Sequence, residues 1–338
     1  MASSGRSSVS TERIPIIDVS PLDGGNEVAC RHVADELCEA ACTVGFFYVR
    51  NHGVSRVQLD EVFSAARNFF AAPEEKKRSV AISPFHRGWL EIGATKMAGS
   101  AASDVKESFV WGLDIPPDDP DFLAGGRLLA PNQWPLFLPE MRAQLMAYFQ
   151  STQLCGQRLL RAFATGLGVR SDYFLTHVDK PVSRGALIYY PPRSSEPDVA
   201  EFGAAPHSDF GTLTLLAQDE VGGLQVKDKS GVWIDADPIE GTFVVNVGDL
   251  LARWSNGRFE STPHRVVNPL GQERYSVAMF VDPNWDSVVE PVTLAGECAK
   301  HKPVGCVDYI MDRYDEAFAY RNKEEPPDGG AEELNRAH

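Results

Sequence analysis

Apolar and polar positions change their period twice along the chain. Near the start, Ile14-Pro15-Ile16-Ile17-Asp18 reads as a short strand, and the segment from Val28 to Thr43 sets Val33, Leu37 and Ala40 at helical spacing. A second strand follows in Gly45-Phe46-Phe47-Tyr48-Val49. Ser55 is placed to cap a helix bearing Leu59, Val62, Phe63 and Phe69, which runs into a turn at Pro73-Glu74-Glu75-Lys76. Between 81 and 135 the period is lost. Gly, Pro and Asp accumulate there, and Phe85, Trp89, Phe109, Trp111, Phe122 and Trp134 are scattered among them, a texture suited to a lid or a substrate-facing wall. Helical spacing returns from Pro139 to Gly168, where Met141, Leu145, Phe149, Leu159, Leu160 and Phe163 predict a long helix that ends at a glycine and packs on the outside of a sheet.

From Ala186 onward the runs become short and β-like. They are Leu187 to Tyr190, Thr212 to Leu215, Gly223 to Val226, Val232 to Ile234, Phe243 to Val247 and Tyr275 to Val281, with Gly, Pro, Asp and Ser between them. Such spacing predicts a mainly β protein with flanking helices around a jelly-roll core, the double-stranded β-helix. The segment from Val304 to Arg321 is helical again. Barrels and sandwiches of this length often form one domain. We therefore expect a tail over 1–12, a single domain over 13–322 and a loose tail over 323–338. Within the domain, a helix-rich part (13–180) precedes the jelly-roll core (181–300) and a C-terminal helix (301–322).

Composition narrows the function classes. Of 338 residues, 43% are hydrophobic and 23% charged, as in ordinary folded proteins. The 47 acidic against 32 basic residues leave a net charge of −15, which repels nucleic-acid backbones and anionic membranes. No run of 18 apolar residues occurs, and the start lacks the apolar stretch of a secretory signal, so the expectation is a cytoplasmic protein that meets neither nucleic acid nor membrane. The six cysteines are scattered without a Cys-x-x-Cys pair; Cys38 and Cys42 stand one helical turn apart, a poor layout for a disulfide.

Candidate chemistry lies in the β region. In Pro206-His207-Ser208-Asp209, a His and an Asp at i and i+2 face the same way on an extended strand. His264, in Thr262-Pro263-His264-Arg265-Val266, comes 57 residues later, a distance that several antiparallel strands can fold back to the same barrel mouth. Two imidazoles and one carboxylate on a single face leave open positions on an octahedral metal, as non-haem iron(II) oxygenases require. The triplet alone is a weak signal, because an isolated His is more often a hydrogen-bonded structural residue. A third element strengthens it. Arg274 and Ser276 point together from a strand that continues through Val277 to Phe280, so a guanidinium fork and a hydroxyl face the interior, where a cation needs an anion such as a carboxylate.

With these residues in hand, the chain resembles the isopenicillin N synthase-like branch of the 2-oxoglutarate/iron(II) dioxygenase superfamily. The likeness runs through Ile14 to Asp18, Gly45 to Val54, Tyr189-Tyr190-Pro191-Pro192, the His-x-Asp, Gly222-Gly223-Leu224-Gln225-Val226, Val245-Asn246-Val247-Gly248-Asp249, Ser261 to Val267 and Arg274-Tyr275-Ser276. It implies Fe(II) held by His207, Asp209 and His264, and 2-oxoglutarate held through its distal carboxylate by Arg274 and Ser276, with Tyr190 beside it. It also implies O2 as oxidant, decarboxylation of 2-oxoglutarate to succinate, and hydroxylation or desaturation of a small-molecule substrate. Plant members usually carry Asn two residues before that tyrosine, where this chain has Ile188. Asp209 excludes the halogenase variant, which replaces the carboxylate by a small residue. Residues 248–257 are similar to microbial members that serve small-molecule or secondary metabolism. Two rivals stay open: a cosubstrate-independent iron(II) oxidase or cyclase of the same fold, and a catalytically silent jelly roll that binds a small carboxylate. Placement alone puts Phe109, Trp111, Arg184, Phe210 and Phe280 around the substrate. Asn246 and Asp249 read as closing a turn, and Gly222, Gly223 and Gly248 as turn glycines. Oligomeric state is not legible.

Overall fold

The computed structural model describes residues 14–24, 26–97, 99–192, 202–268, 271–318 and 321, so the expected tails over 1–12 and 323–338 lie outside the described residues. The chain opens with β1 (Ile16–Asp18), α1 (Glu27–Thr43), β2 (Phe46–Arg50), α2 (Arg56–Phe70) and α3 (Glu74–Arg78). There follow β3 (Gly88–Leu90), β4 (Glu107–Gly112), α4 (Pro120–Leu123) and the long α5 (Met141–Gly166). The β region holds β5 (Arg184–Tyr190), β6 (Ala204–His207), β7 (Leu213–Gln218), β8 (Leu224–Lys227), β9 (Trp233–Asp235) and β10 (Thr242–Val247). After α6 (Asp249–Trp254) come β11 (His264–Val266), β12 (Arg274–Val281), β13 (Val288–Val289), β14 (Val304–Gly305) and α7 (Cys306–Ala317).

Local signals account for several boundaries. Asn26 caps α1 by accepting from Ala29 N–H, and Ser55 with Gln58 forms a reciprocal capping box at α2, satisfying backbone donors that a helix start leaves open. The expected turn at Pro73 is instead the entry to α3, whose first turn is acidic and last turn basic, a charge order that favours a short helix. The irregular segment 81–135 hides two strands, β3 and β4.

An eight-stranded sheet has the order β1-β2-β10-β7-β12-β5-β4-β3, and a four-stranded sheet the order β6-β11-β8-β9. Strands β1 to β4, from the helix-rich part, thus extend the larger sheet at both edges. Strand parity sorts the side chains. On β12, Tyr275, Val277, Met279 and Val281 join the large apolar core that also takes in residues of α1, α2 and α5, while Arg274, Ser276, Ala278 and Phe280 line a cavity. On β2 and β10, Phe46, Tyr48 and Val244 enter a smaller apolar cluster with Leu224, Val226 and Val266 of the four-stranded sheet. The jelly roll is therefore a sandwich with helices outside one sheet and the cavity between the two. Among the described residues, no helix is long and apolar enough to cross a membrane, and all six cysteines are free.

Candidate active site

Backbone pairing brings the three metal-type side chains together. His264, first residue of β11, lies directly across from His207, last residue of β6, in an antiparallel ladder, and Asp209 follows two residues on. The ligand-type atoms of His207, Asp209 and His264 all lie within 4.8 Å of one another. Asp209 Oδ1 is 3.8 Å from His207 Nε2 and 3.7 Å from His264 Nε2.

The rear of each side chain is tied down. His207 Nδ1 is 2.7 Å from Ala205 O, and His264 Nδ1 is 3.2 Å from Thr262 O, so each ring donates from Nδ1 and leaves Nε2 with its lone pair toward the centre. Asp209 Oδ2 accepts from Thr214 Oγ1 and, at 2.8 Å, from Asn246 Nδ2, which turns Oδ1 to the imidazoles. Burial, with His264 close by, holds the His207 imidazole down at about 4, so it is neutral at physiological pH. Burial pushes the Asp209 carboxyl up, but the two imidazoles and its two hydrogen-bond donors outweigh that and hold it below the ordinary value. Two imidazole nitrogens and one carboxylate oxygen form a donor set that suits a mid-row divalent ion such as Fe(II).

The loop that carries Asp209 is clamped to the start of α6. Gly248, Asp249 and Leu250 donate their N–H groups to the carbonyls of Thr212, Asp209 and Gly211 at 2.8–2.9 Å. A Cβ at Gly248 would sit 2.3 Å from Gly211 O, so this glycine serves close approach, not a turn. Gly222 and Gly223, with φ of 78° and 94°, do occupy left-handed turn positions. The expectation that Asn246 and Asp249 close a turn is also corrected. Asn246 lies within β10 and holds Asp209; Asp249 accepts from Ser261 Oγ and Tyr309 OH instead.

The cavity encloses about 150 Å³ and is lined by the triad together with Tyr190, Arg274 and Ser276 at one end. Arg274 is fully buried. Its guanidinium lies 4.6 Å from the centre of the Tyr190 ring, and its hydrogen bonds go to neutral groups: Gln218 Oε1 at 3.0 Å and Ser276 Oγ at 3.4 Å. Its Nε is buried without a partner. A buried cation with an unused donor and no carboxylate in contact with it among the described residues fits an incoming carboxylate. Gln218, which orients that fork and itself donates to Ala236 O, was not legible as a functional position.

At the other end, Arg184, Phe210 and Phe280 line the cavity, joined by His86, Tyr314 and Phe318. An isolated bridge between Thr95 and Phe318 and a bond from Lys96 N to Ala317 O seat the end of α7 over this mouth. Phe109 and Trp111 are not part of it. On β4 the cavity-facing positions are Ser108 and Val110; Phe109 packs 4.9 Å from Phe69 of α2, and Trp111 is fully buried against Gly185 in the helix-covered core. Lys106, one residue before β4, also lines the cavity and forms a buried pair with Asp104 at 2.8 Å.

Comparisons with known proteins agree with this geometry. Residues 14–136 match the family described as the N-terminal part of non-haem dioxygenases in morphine synthesis, and 183–283 match the 2OG-Fe(II) oxygenase superfamily. The 2-oxoglutarate-Fe(II) type oxidoreductase hxnY of Emericella nidulans is 33% identical over 90% of this chain and 90% of its own. Homoarginine-6-hydroxylase of rice is 33% identical, covering 89% of this chain and 96% of the relative. The solved structure of a full-length Neurospora crassa protein in complex with alpha-KG and thymine superposes with a TM-score of 0.79 at 34% identity, over 89% of this chain and 96% of that one. The chain belongs to the 2-oxoglutarate/iron(II) oxygenase superfamily and is an enzyme that works with Fe(II), 2-oxoglutarate and O2.

Proposed function

We propose that His207, Asp209 and His264 bind the iron, that Arg274 and Ser276 take the distal carboxylate of 2-oxoglutarate with Tyr190 stacked beside the guanidinium, and that a small organic substrate is oxidised at the Phe280 end of the cavity. The observation that carries this reading is the convergence of two Nε2 atoms and one carboxylate oxygen whose opposite faces are already hydrogen-bonded. When bound, Fe(II), 2-oxoglutarate and O2 together supply the oxidising power, coupling decarboxylation to succinate with hydroxylation or desaturation of the substrate.

The chain's own part is placement and exclusion. Asn246 and Thr214 occupy Asp209 Oδ2 and leave Oδ1 as the atom that would bind the iron, Arg274 would set the cosubstrate's reach, and Phe210, Phe280 and Tyr314 keep bulk water from the reacting end. Ile188 stands in the wall where plant members carry a polar side chain, so on that side the cosubstrate meets an apolar surface. Residues 14–318 act as one unit, because strands before and after position 181 share a single sheet. Six free cysteines accord with a reducing, cytoplasmic setting and a role in small-molecule metabolism.

Succinate release under air tests the proposal. Iron-loaded protein converts 2-oxoglutarate to succinate, and His207→Ala, Asp209→Ala and His264→Ala each abolish conversion together with iron binding. Oxygen uptake without succinate would assign the protein to the cosubstrate-independent oxidases. Binding of small carboxylates without iron uptake would mark a silent jelly roll.

A further inference from the structure

The following inference rests on the assignment of iron to the triad and of the cosubstrate to Arg274. Positions 274 and 280 of β12 are six residues apart, about 20 Å at strand rise, so the two ends of the cavity are chemically separate. At the Phe280 end, register pairs Phe280 with Arg184 of β5. The Arg184 guanidinium lies 5.5 Å from the centre of the Phe280 ring and 5.2 Å from that of Tyr314, and Phe210 stands 6.1 Å from Tyr314. Two aromatic rings thus flank the Arg184 fork, and Phe210, set edge-on to Tyr314 and under Arg313, adds a third ring beside them, an arrangement that favours a flat ring.

The charges of the lining decide what kind of ring. Three cations face the cavity: Lys106, Arg184 and Arg274. Two of them carry their own counter-charge. Lys106 Nζ is 2.8 Å from Asp104 Oδ2, and Arg184 Nη1 is 3.1 Å from Asp282 Oδ2; both carboxylates are wholly buried. Burial pushes the Asp282 carboxyl up, while the permanently charged guanidinium 3.1 Å away and the Thr212 N–H act against that, so the pairing itself answers the charge of Arg184. Of the three, Arg274 alone has no carboxylate in ion-pair contact among the described residues, Asp219 acting on it only from further off, and it stands at the cosubstrate end. Arg184 therefore faces the cavity as a cation already paired, with Nη1 committed to Asp282 and Val182 O and the rest of its fork left to donate. A carboxylate delivered there would meet Asp282 while the one lining guanidinium at that end is already paired, and burying an imperfectly balanced charge is costly. A carbonyl or ring nitrogen would take the spare donors without that penalty.

We infer that the substrate is an electrically neutral, planar ring compound bearing a carbonyl-type acceptor, hydrogen-bonded by Arg184 between Phe280 and Tyr314, and that carboxylated analogues of the same ring are rejected. The test uses oxygen-free protein loaded with Fe(II) and 2-oxoglutarate. Its charge-transfer band, recorded before any probe is added, reports whether the iron and cosubstrate assignment stands. Matched probes then follow: uracil against its 6-carboxylate, nicotinamide against nicotinate, and indole-3-acetamide against indole-3-acetate, with binding read by equilibrium dialysis. The neutral member is expected to bind at least tenfold tighter wherever a pair binds. In Asp282→Asn, which leaves Arg184 unbalanced, benzoate should gain at least tenfold in affinity over the unsubstituted protein while the 2-oxoglutarate titration is unchanged. With the band intact, tighter binding of the carboxylates, binding of none of the neutral members, or no gain for benzoate in Asp282→Asn would overturn the inference.

Discussion

Replacing Arg274 by methionine should move cosubstrate affinity and protein stability in opposite directions. The guanidinium is fully buried, its Nε is unpartnered, and it is held by Gln218, Ser276 and the Tyr190 ring. In the proposed complex it gains a carboxylate; without one it is a desolvated cation hydrogen-bonded only to neutral groups, with Asp219 further off. Truncating one side of a buried hydrogen-bonded charge pair costs about 2–5 kcal/mol. At about 1.4 kcal/mol per decade, and because the ligand's carboxylate stays in water when it is not bound, the lower half of that range applies, a rise in Kd of roughly 30- to 300-fold. The metal-free protein gains instead, since methionine fills most of the volume without a charge to desolvate; relief of about 1–3 kcal/mol raises Tm by a few degrees. Arg274→Lys keeps the charge but loses the fork, so it should weaken 2-oxoglutarate by about tenfold without the gain in Tm. Anaerobic titration of the charge-transfer band gives Kd, and calorimetry of the metal-free protein gives Tm. An Arg274→Met protein with a lower Tm and unchanged Kd would refute the reasoning and make Arg274 a structural residue.

Asn246→Ala should weaken iron by roughly 10- to 100-fold in a chelator competition, because Asp209 loses the donor that aims it; unchanged affinity would mean that Thr214 suffices. Trp111→Ala should destabilise the fold by about 3–5 kcal/mol in urea titrations and leave the Kd for 2-oxoglutarate alone, as its ring fills the helix-covered core; intact stability with altered substrate preference would return it to the cavity. His52 stacks 4.1 Å from Phe243 and accepts from Val54 N–H, and burial, with Arg158 nearby, lowers its pKa from 6.5 to about 4. Between those values the unfolded chain binds more protons, so stability is full above pH 6.5 and falls by up to about 3 kcal/mol as pH drops toward 4. His52→Gln should flatten that slope of urea midpoint against pH; an unaltered slope would locate the proton uptake elsewhere.

The elements read correctly from sequence are those whose two faces meet different surroundings. On β12 one face meets the helix-covered core and the other a polar cavity, so Arg274 and Ser276 interrupt the apolar run at every second residue and their direction is legible. The His-x-Asp spacing is legible for the same reason, and Ser55 with Gln58 spells its own cap. Strand β4 offers no such contrast. All six of its residues are buried, Glu107 through an ion pair with Lys77 and a bond from Trp89, so no alternation marks the strand or says which face Phe109 takes. Asn246 was obscured differently: one amide in Val245-Asn246-Val247-Gly248-Asp249 looks like turn chemistry until the chain places Asp209 beside it.

Parity on β4 is set by its neighbour, through size. Register pairs Trp111 with Gly185 and Phe109 with Leu187, the β5 positions that face the helices, while Arg184, Ala186 and Ile188 face the cavity. Gly185 sits inside an otherwise β-type run, and a Cβ there would lie 2.2 Å from the Trp111 ring. A glycine that weakens a strand interior has to be offset by a close neighbour, and the side chain that fills the gap is the indole across the ladder. That requirement directs Trp111, and with it Phe109, away from the cavity, and it leaves Ser108 and Val110 as the smaller cavity-facing wall beside the iron-type triad. The same glycine thus keeps two aromatics out of the cavity, whose face at the adjacent β5 position carries Arg184 opposite Gly112.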